Sequence, residues 1–199
     1  QRKRLEQGFH PNGNLMYEIE YKGSMKNGRT TYYFQDGRNE IEYNYLDDML
    51  NGKVTRWYFN GNIEYEENYR NNKLDGITRK YYLNGTLAEE KTYKTGEPHG
   101  DYKVFWENGA LKISGQHRNS MYHGDWEYFN EQGIRVGVAS FNKGTGTMTG
   151  YHLNGKVSRE VNYKDNLKHG REISWDENGD IIDEQHFEYG EVVTEVKRR

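Results

Sequence analysis

At 199 residues the chain is long enough for one or two domains, but only 33% of it is hydrophobic and 30% is charged, too polar a mix to fill a conventional deep core. Its 15% aromatic content, including 18 tyrosines, excludes an intrinsically disordered polymer, and a net charge of −3 excludes the broad basic field that nucleic acid demands. With no cysteine there is no disulfide framework or thiolate metal site, and no apolar run reaches the roughly 18 residues of a membrane-spanning helix.

The first predicted pair of strands flanks Pro11-Asn12-Gly13. Phe9 stands four residues before the glycine; after it, Leu15, Tyr17, Ile19 and Tyr21 alternate with Met16, Glu18 and Glu20, the period of a half-buried strand. The unit then recurs: Gly37, Gly61, Gly85, Gly109, Gly133, Gly155 and Gly179 follow at 24-residue steps, with one step of 22 between Gly133 and Gly155. An aromatic stands four residues before each glycine (Phe9, Tyr33, Trp57, Tyr81, Phe105, Phe129, Tyr151, Trp175). Eight residues after it stands a second ring or histidine (Tyr21, Tyr45, Tyr69, Tyr93, His117, Phe141, Tyr163, Phe187). Two residues after it the chain is apolar except at Asn39 and Arg135.

A two-residue Asn-Gly turn would set Trp57 opposite Glu64, whereas a three-residue loop ending in glycine sets it opposite Ile63 and puts both ladders on one face. The three-residue loop is therefore predicted, its type I turn taking Pro11 in first position and the left-handed glycine in third. A second series, Gly28, Gly52, Gly76, Gly100, Gly124, Gly146 and Gly170, predicts a second turn in each repeat. The sixth copy, two residues short and carrying Gly137 and Val138, is expected to be the weakest pairing or a bend.

The expected fold is all-β: an elongated single antiparallel β-meander of tandem 24-residue hairpin repeats, residues 1–199 as one repeat domain. At the usual strand spacing each repeat adds about 9.6 Å, and natural twist would curve such a sheet into a trough. Arg2, Lys3 and Arg4 at one end and Lys197, Arg198 and Arg199 at the other would guard its open edges.

The stretch KLDGITRKYYLNGTLAEEKTY, residues 73–93, resembles the bacterial variant of the membrane occupation and recognition nexus (MORN) repeat, and the likeness recurs over about residues 8–190. Tandem copies of this kind are similar to YwqK-type antitoxins. The resemblance implies an elongated sheet and a protein partner, a toxin in the antitoxin case.

The residues themselves offer little catalysis. His99, His123 and His169 each precede a second-series glycine, so neighbouring copies about 9.6 Å apart cannot share a metal bound at roughly 2.1 Å. Glu18, Glu42, Glu66, Glu90, Glu160 and Glu184 recur at one repeat position, too widely spaced for the carboxylate pair of a retaining glycosidase, about 5 Å apart. GYHLNGK, residues 150–156, has phosphate-loop spacing but continues with Val157 and crosses a hairpin. No enzyme activity, cofactor or metal is expected.

Partner contacts are sought where the copies differ. Three residues before the glycine stand Phe34, Tyr58, Tyr82 and Trp106, then Asn130, His152 and Asp176. Tyr102, Trp126 and Tyr128 share that face, with Arg56 and Lys80 between them, the aromatic-plus-arginine mixture of interface hot spots. These nine residues form the candidate partner-binding surface; the competing reading makes the face a second core. A protein partner is expected, with membrane or phospholipid binding and glycan binding as alternatives; the diluted basic charge argues against anionic lipid. The expected compartment is cytoplasmic; because the chain begins with Gln1, compatible with an excised or processed segment, a periplasmic or surface location is the alternative.

Overall fold

A computed structural model describes residues 2–195. The fold is all-β: nineteen strands belong to one antiparallel sheet, and no helix occurs among the described residues. Contacts divide the chain into two compact units, Gln1–Glu97 and Pro98–Arg199. Lys197, Arg198 and Arg199, assigned above to an edge guard, lie outside the described residues.

The first turn forms as its residues dictate. In the third copy Tyr58 N donates to Asn62 O (2.8 Å) and Gly61 N to Tyr58 O (2.9 Å), enclosing the three-residue loop Phe59-Asn60-Gly61, with Gly61 at φ +92°. Its residue Asn60 works twice: Oδ1 accepts from Asn62 N (3.0 Å), while Nδ2 donates to Leu83 O of the next loop (2.8 Å). Asn12, Asn108 and Asn154 repeat both bonds. In these four copies the loop is thus tied to the next by a side chain that asparagine can supply and aspartate cannot, at about 0.5–1.5 kcal/mol per bond. Asp36 caps its own turn through Arg38 N and binds the Arg38 guanidinium instead, which holds its carboxyl below the usual range.

The second turn is not where the second glycine series placed it. The tips are two-residue turns such as Asp47-Asp48 (φ 49° and 64°) and Asn71-Asn72 (φ 49° and 64°), the paired left-handed residues of a type I′ hairpin. Gly28, Gly52 and Gly76, at φ +110° to +115°, sit further on, inside or at the start of strands, where they form bulges. Ile19 pairs with Thr30 and Tyr21 with Lys26, so three residues, Asn27 to Arg29, oppose the single Glu20. Side chains bridge the interruption: Asn44 Nδ2 donates to Lys53 O (2.7 Å) and Asn68 Nδ2 to Ile77 O (2.6 Å).

This geometry corrects the reading of the sixth copy. Its two missing residues are the two extra residues of the bulge, so the strands Arg135–Asn142 and Thr145–Tyr151 pair without a break from Gly137↔Gly150 to Asn142↔Thr145. The deletion regularises that hairpin and does not bend it.

A second correction concerns the ladders. Trp57 does pair with Ile63, as the loop length predicts, but Arg56 pairs with Tyr65 and Glu64 is skipped. The same one-residue shift lies beside Phe9, Tyr33, Phe105, Phe129, Tyr151 and Trp175. Because a strand alternates faces, one extra residue moves every later side chain to the other side. The ladder of Tyr33 and Trp57 therefore shares its face with the glutamates, and that of Tyr45 and Tyr69 lines the other. Tyr33 Oη donates to Glu18 (2.8 Å) and Tyr81 Oη to Glu66 (3.1 Å). Across the same face Arg79 pairs with Glu90 (2.8 Å), Arg171 with Glu184 (2.7 Å) and Lys53 with Glu66. Gln7 and Tyr33, hydrogen-bonded to the Glu18 carboxylate, hold its pKa below the ordinary value. The recurring glutamates are thus structural, although exposed pairs of this kind contribute only about 0–1 kcal/mol each.

The apolar free energy lies on the other face. In the first unit Ile19, Ile41 and Val54 are buried with Thr30 between them, under a row of Tyr17, Tyr32, Tyr43 and Tyr45 whose successive ring centroids are 6.0–6.4 Å apart. In the second unit Trp126, Ala139 and Phe141 form a buried cluster, with Tyr102, Ile113, Tyr122, Tyr128, Met148 and Tyr163 packed against it. A single-layer sheet can bury Trp126 to 4% exposure because Gly115 on the adjacent strand leaves room for the indole to lie flat: a Cβ there would stand 2.1 Å from Trp126 Cδ2.

Candidate interaction surface

The nine candidate contact residues fall into three settings. Trp126 belongs to the buried cluster of the second unit and the partly buried Tyr102 and Tyr128 pack against it, Trp126 standing 5.7 Å from Tyr102 and 5.1 Å from Tyr122 between ring centroids. Removal from water pushes the Tyr128 hydroxyl up to about 12. These three support the sheet from inside.

Arg56 and Lys80 lie in one row on the tyrosine face of the first unit, Arg56 paired in register with Ile41 and Tyr65, and Lys80 with Tyr65. Both cations are already engaged, Arg56 with Glu64 (3.0 Å) and Lys80 with Glu89 (3.3 Å). The row therefore offers no uncompensated positive charge.

Phe34, Tyr58, Tyr82 and Trp106 sit where strand gives way to loop, each donating its backbone N–H across the first turn. This position carries a fold task of its own. Tyr58 Oη donates to Tyr81 O (2.8 Å) and Trp106 Nε1 to Phe129 O (3.0 Å), while the His10 and His152 rings reach the equivalent carbonyls of Tyr33 and Trp175 at 2.9 Å. Phe34 has no donor and meets Phe59 edge-to-face at 5.4 Å.

Phe59 was not singled out by the sequence reading, and neither was Leu83. They occupy the first loop position, filled elsewhere by Pro11, Gln35, Glu107, Glu131, Glu177 and, in the second unit, the exposed Leu153. The available signal was an apolar residue at a tip that needs none. Phe59 is 65% exposed with the Arg38 guanidinium 4.6 Å from its ring centroid, and Leu83 of the next loop is 59% exposed. The first-turn edge of the first unit thus presents Phe34, Tyr58, Phe59 and Leu83 beside a stacked arginine.

Of His99, His123 and His169, two serve turns: His99 Nδ1 lies 3.0 Å from Asn119 Oδ1, and Tyr189 N donates to His169 Nδ1 (3.4 Å), whereas His123 Nδ1 is buried without a hydrogen-bond partner. Among the described residues no cluster of three or more histidine, aspartate or glutamate side chains could hold a metal ion. Residues 150–156 run from strand through the first-type turn, without the helix a phosphate loop requires.

No curated protein matches the chain. The family described as MORN repeat variant matches at residues 5–22, 50–71, 74–95, 98–119, 145–165 and 168–189. The copies left unmatched, around Gly37 and Gly133, are those with Asn39 and Arg135 in place of the apolar residue after the turn, yet both keep the pairings Tyr33↔Asn39 and Phe129↔Arg135. MORN repeats generally bind proteins or membranes and form a non-catalytic repeat family. Six matches over more than half of its length, on a hairpin that recurs in the same register, make this chain a member of the MORN repeat variant family.

Proposed function

We propose that the chain is a non-enzymatic scaffold that binds a protein partner through the first-turn edge of its first unit. The observation that carries this reading is Phe59, largely exposed at a loop tip and held between Phe34 and the Arg38 guanidinium. Aromatic and arginine side chains dominate interface hot spots, and a ring already fixed by its neighbours loses little conformational entropy on binding. Tyr58 and Leu83 extend the patch; Tyr82 and Trp106 offer the same kind of ring at the equivalent position, Trp106 with the Lys112 ammonium 4.0 Å from its ring centroid. Arg56 and Lys80, neutralised by glutamates, contribute at the margin, and Tyr102, Trp126 and Tyr128 contribute by stiffening the second unit.

The finer role is that of an antitoxin or immunity protein, which rests on the likeness to YwqK-type antitoxins. A rigid, non-catalytic surface suits neutralisation by occlusion. The test is co-expression with a secreted or intracellular toxin encoded beside the gene. Rescue of growth by the wild-type chain, lost with the double substitution Phe59→Ala and Leu83→Ala, is expected; equal rescue by that folded variant would overturn the assigned surface.

A further inference from the structure

Asparagine followed by glycine is the sequence context most prone to spontaneous deamidation, because glycine leaves the backbone nitrogen open to attack the preceding side chain. In the first turns this chemistry is held back. Asn12, Asn60, Asn108 and Asn154 each have Oδ1 fixed by a backbone N–H two residues on and Nδ2 fixed by a carbonyl of the next loop. Rotating such a carboxamide toward its glycine breaks both bonds.

Asn178 is placed otherwise. In its turn Asp176 takes over the capping: its Oδ1 accepts from Asn178 N (2.9 Å), Gly179 N (2.9 Å) and Asp180 N (3.0 Å). The N–H of Asp180, which in the other copies would fix the asparagine Oδ1, is thereby taken. Among the described residues the exposed Asn178 carboxamide forms no hydrogen bond; the residue is held through its backbone alone, its N–H by Asp176 Oδ1 and its carbonyl by Lys156 Nζ at 3.1 Å. Asp176 Oδ1, 2.9 Å from the Gly179 nitrogen, also stands where a base would accept its proton.

We propose that Asn178-Gly179 is a modification site, a self-deamidating turn at which the carboxamide freed by Asp176 is converted to aspartate and isoaspartate. In the first step the Gly179 nitrogen bonds to Asn178 Cγ, the Cγ–Nδ2 bond breaks, and Nδ2 leaves as ammonia with the proton from the Gly179 nitrogen. Water then opens the succinimide at either carbonyl. Aspartate adds a negative charge between Asp176 and Asp180; isoaspartate lengthens the backbone by one carbon and disrupts the turn bond from Gly179 N to Asp176 O (3.1 Å).

The test is peptide mapping of the intact folded protein during incubation at mildly alkaline pH, with isoaspartate quantified at the five pairs that begin with Asn12, Asn60, Asn108, Asn154 and Asn178. Asn178 should react about tenfold or more faster than Asn12, Asn60, Asn108 and Asn154, the factor expected from two hydrogen bonds that need not break. The same incubation in concentrated urea should bring the five rates together. Equal rates in the folded protein, or the same ranking in the unfolded chain, would overturn the proposal.

Discussion

Replacing Gly115 with alanine adds one methyl group to a residue outside the left-handed region, so backbone strain does not enter, and its effect isolates the packing of Trp126. The new Cβ would lie 2.1 Å from Trp126 Cδ2 and 2.4 Å from Cε2 and Cε3. Carbon atoms in contact prefer about 3.5–4.0 Å, so the indole must shift by roughly 1.5 Å, which disturbs its packing with Phe141, Tyr122 and His117. Overpacking of this size costs about 1–3 kcal/mol. Urea unfolding followed by far-UV circular dichroism measures it, and a double-mutant cycle with Trp126→Ala assigns it. Trp126→Ala alone should cost about 3–5 kcal/mol as a buried aromatic. In that background Gly115→Ala should be neutral or stabilise by about 0.4–1 kcal/mol, through lower entropy of the unfolded chain. An unchanged midpoint for Gly115→Ala in the wild type, or the same loss in both backgrounds, would refute the claim that the glycine admits the ring.

The repeat, its two strands and its three-residue loop were legible because each has a local cause: period-two alternation, Pro11 at a type I position, and glycines where φ must be positive. The faces were not legible. Glu64 is skipped in the pairing by a bulge that no residue type announces, and that single shift separates the Trp57 ladder from the Tyr69 ladder. The second turn was misplaced because its tips, such as Asp47-Asp48 and Asn71-Asn72, use aspartate and asparagine in the left-handed region, while the conspicuous glycines four residues on serve bulges. At the candidate surface, composition chose Phe34 and Tyr58, which stand at the first-turn edge, and equally Trp126, which is buried, since a buried tryptophan and an exposed one read alike until its neighbour Gly115 is placed.

Asn60→Asp keeps the acceptor that caps its own turn but loses the donor to Leu83 O and sets a carboxylate against that carbonyl; a loss of about 1–2 kcal/mol is expected in urea unfolding, and less than a few tenths would show that the loop-to-loop bond is idle. Tyr128, raised from 10.0 to about 12, binds its proton more tightly in the folded state, so the stability it contributes is complete below pH 10 and is lost as pH rises towards 12. That contribution is about 2 kcal/mol, and Tyr128→Phe should flatten the decline of stability over this alkaline window.

The central claim is that a protein partner docks on the exposed aromatic edge of the first unit. A photo-crosslinking amino acid placed in turn at Phe59 and at Lys53, on the glutamate face, tests it most directly in cells that produce the partner. The edge predicts one protein adduct from position 59, abolished when Leu83 is also changed to alanine, and none from position 53. An adduct formed only from position 53, or one at position 59 indifferent to Leu83, would contradict it.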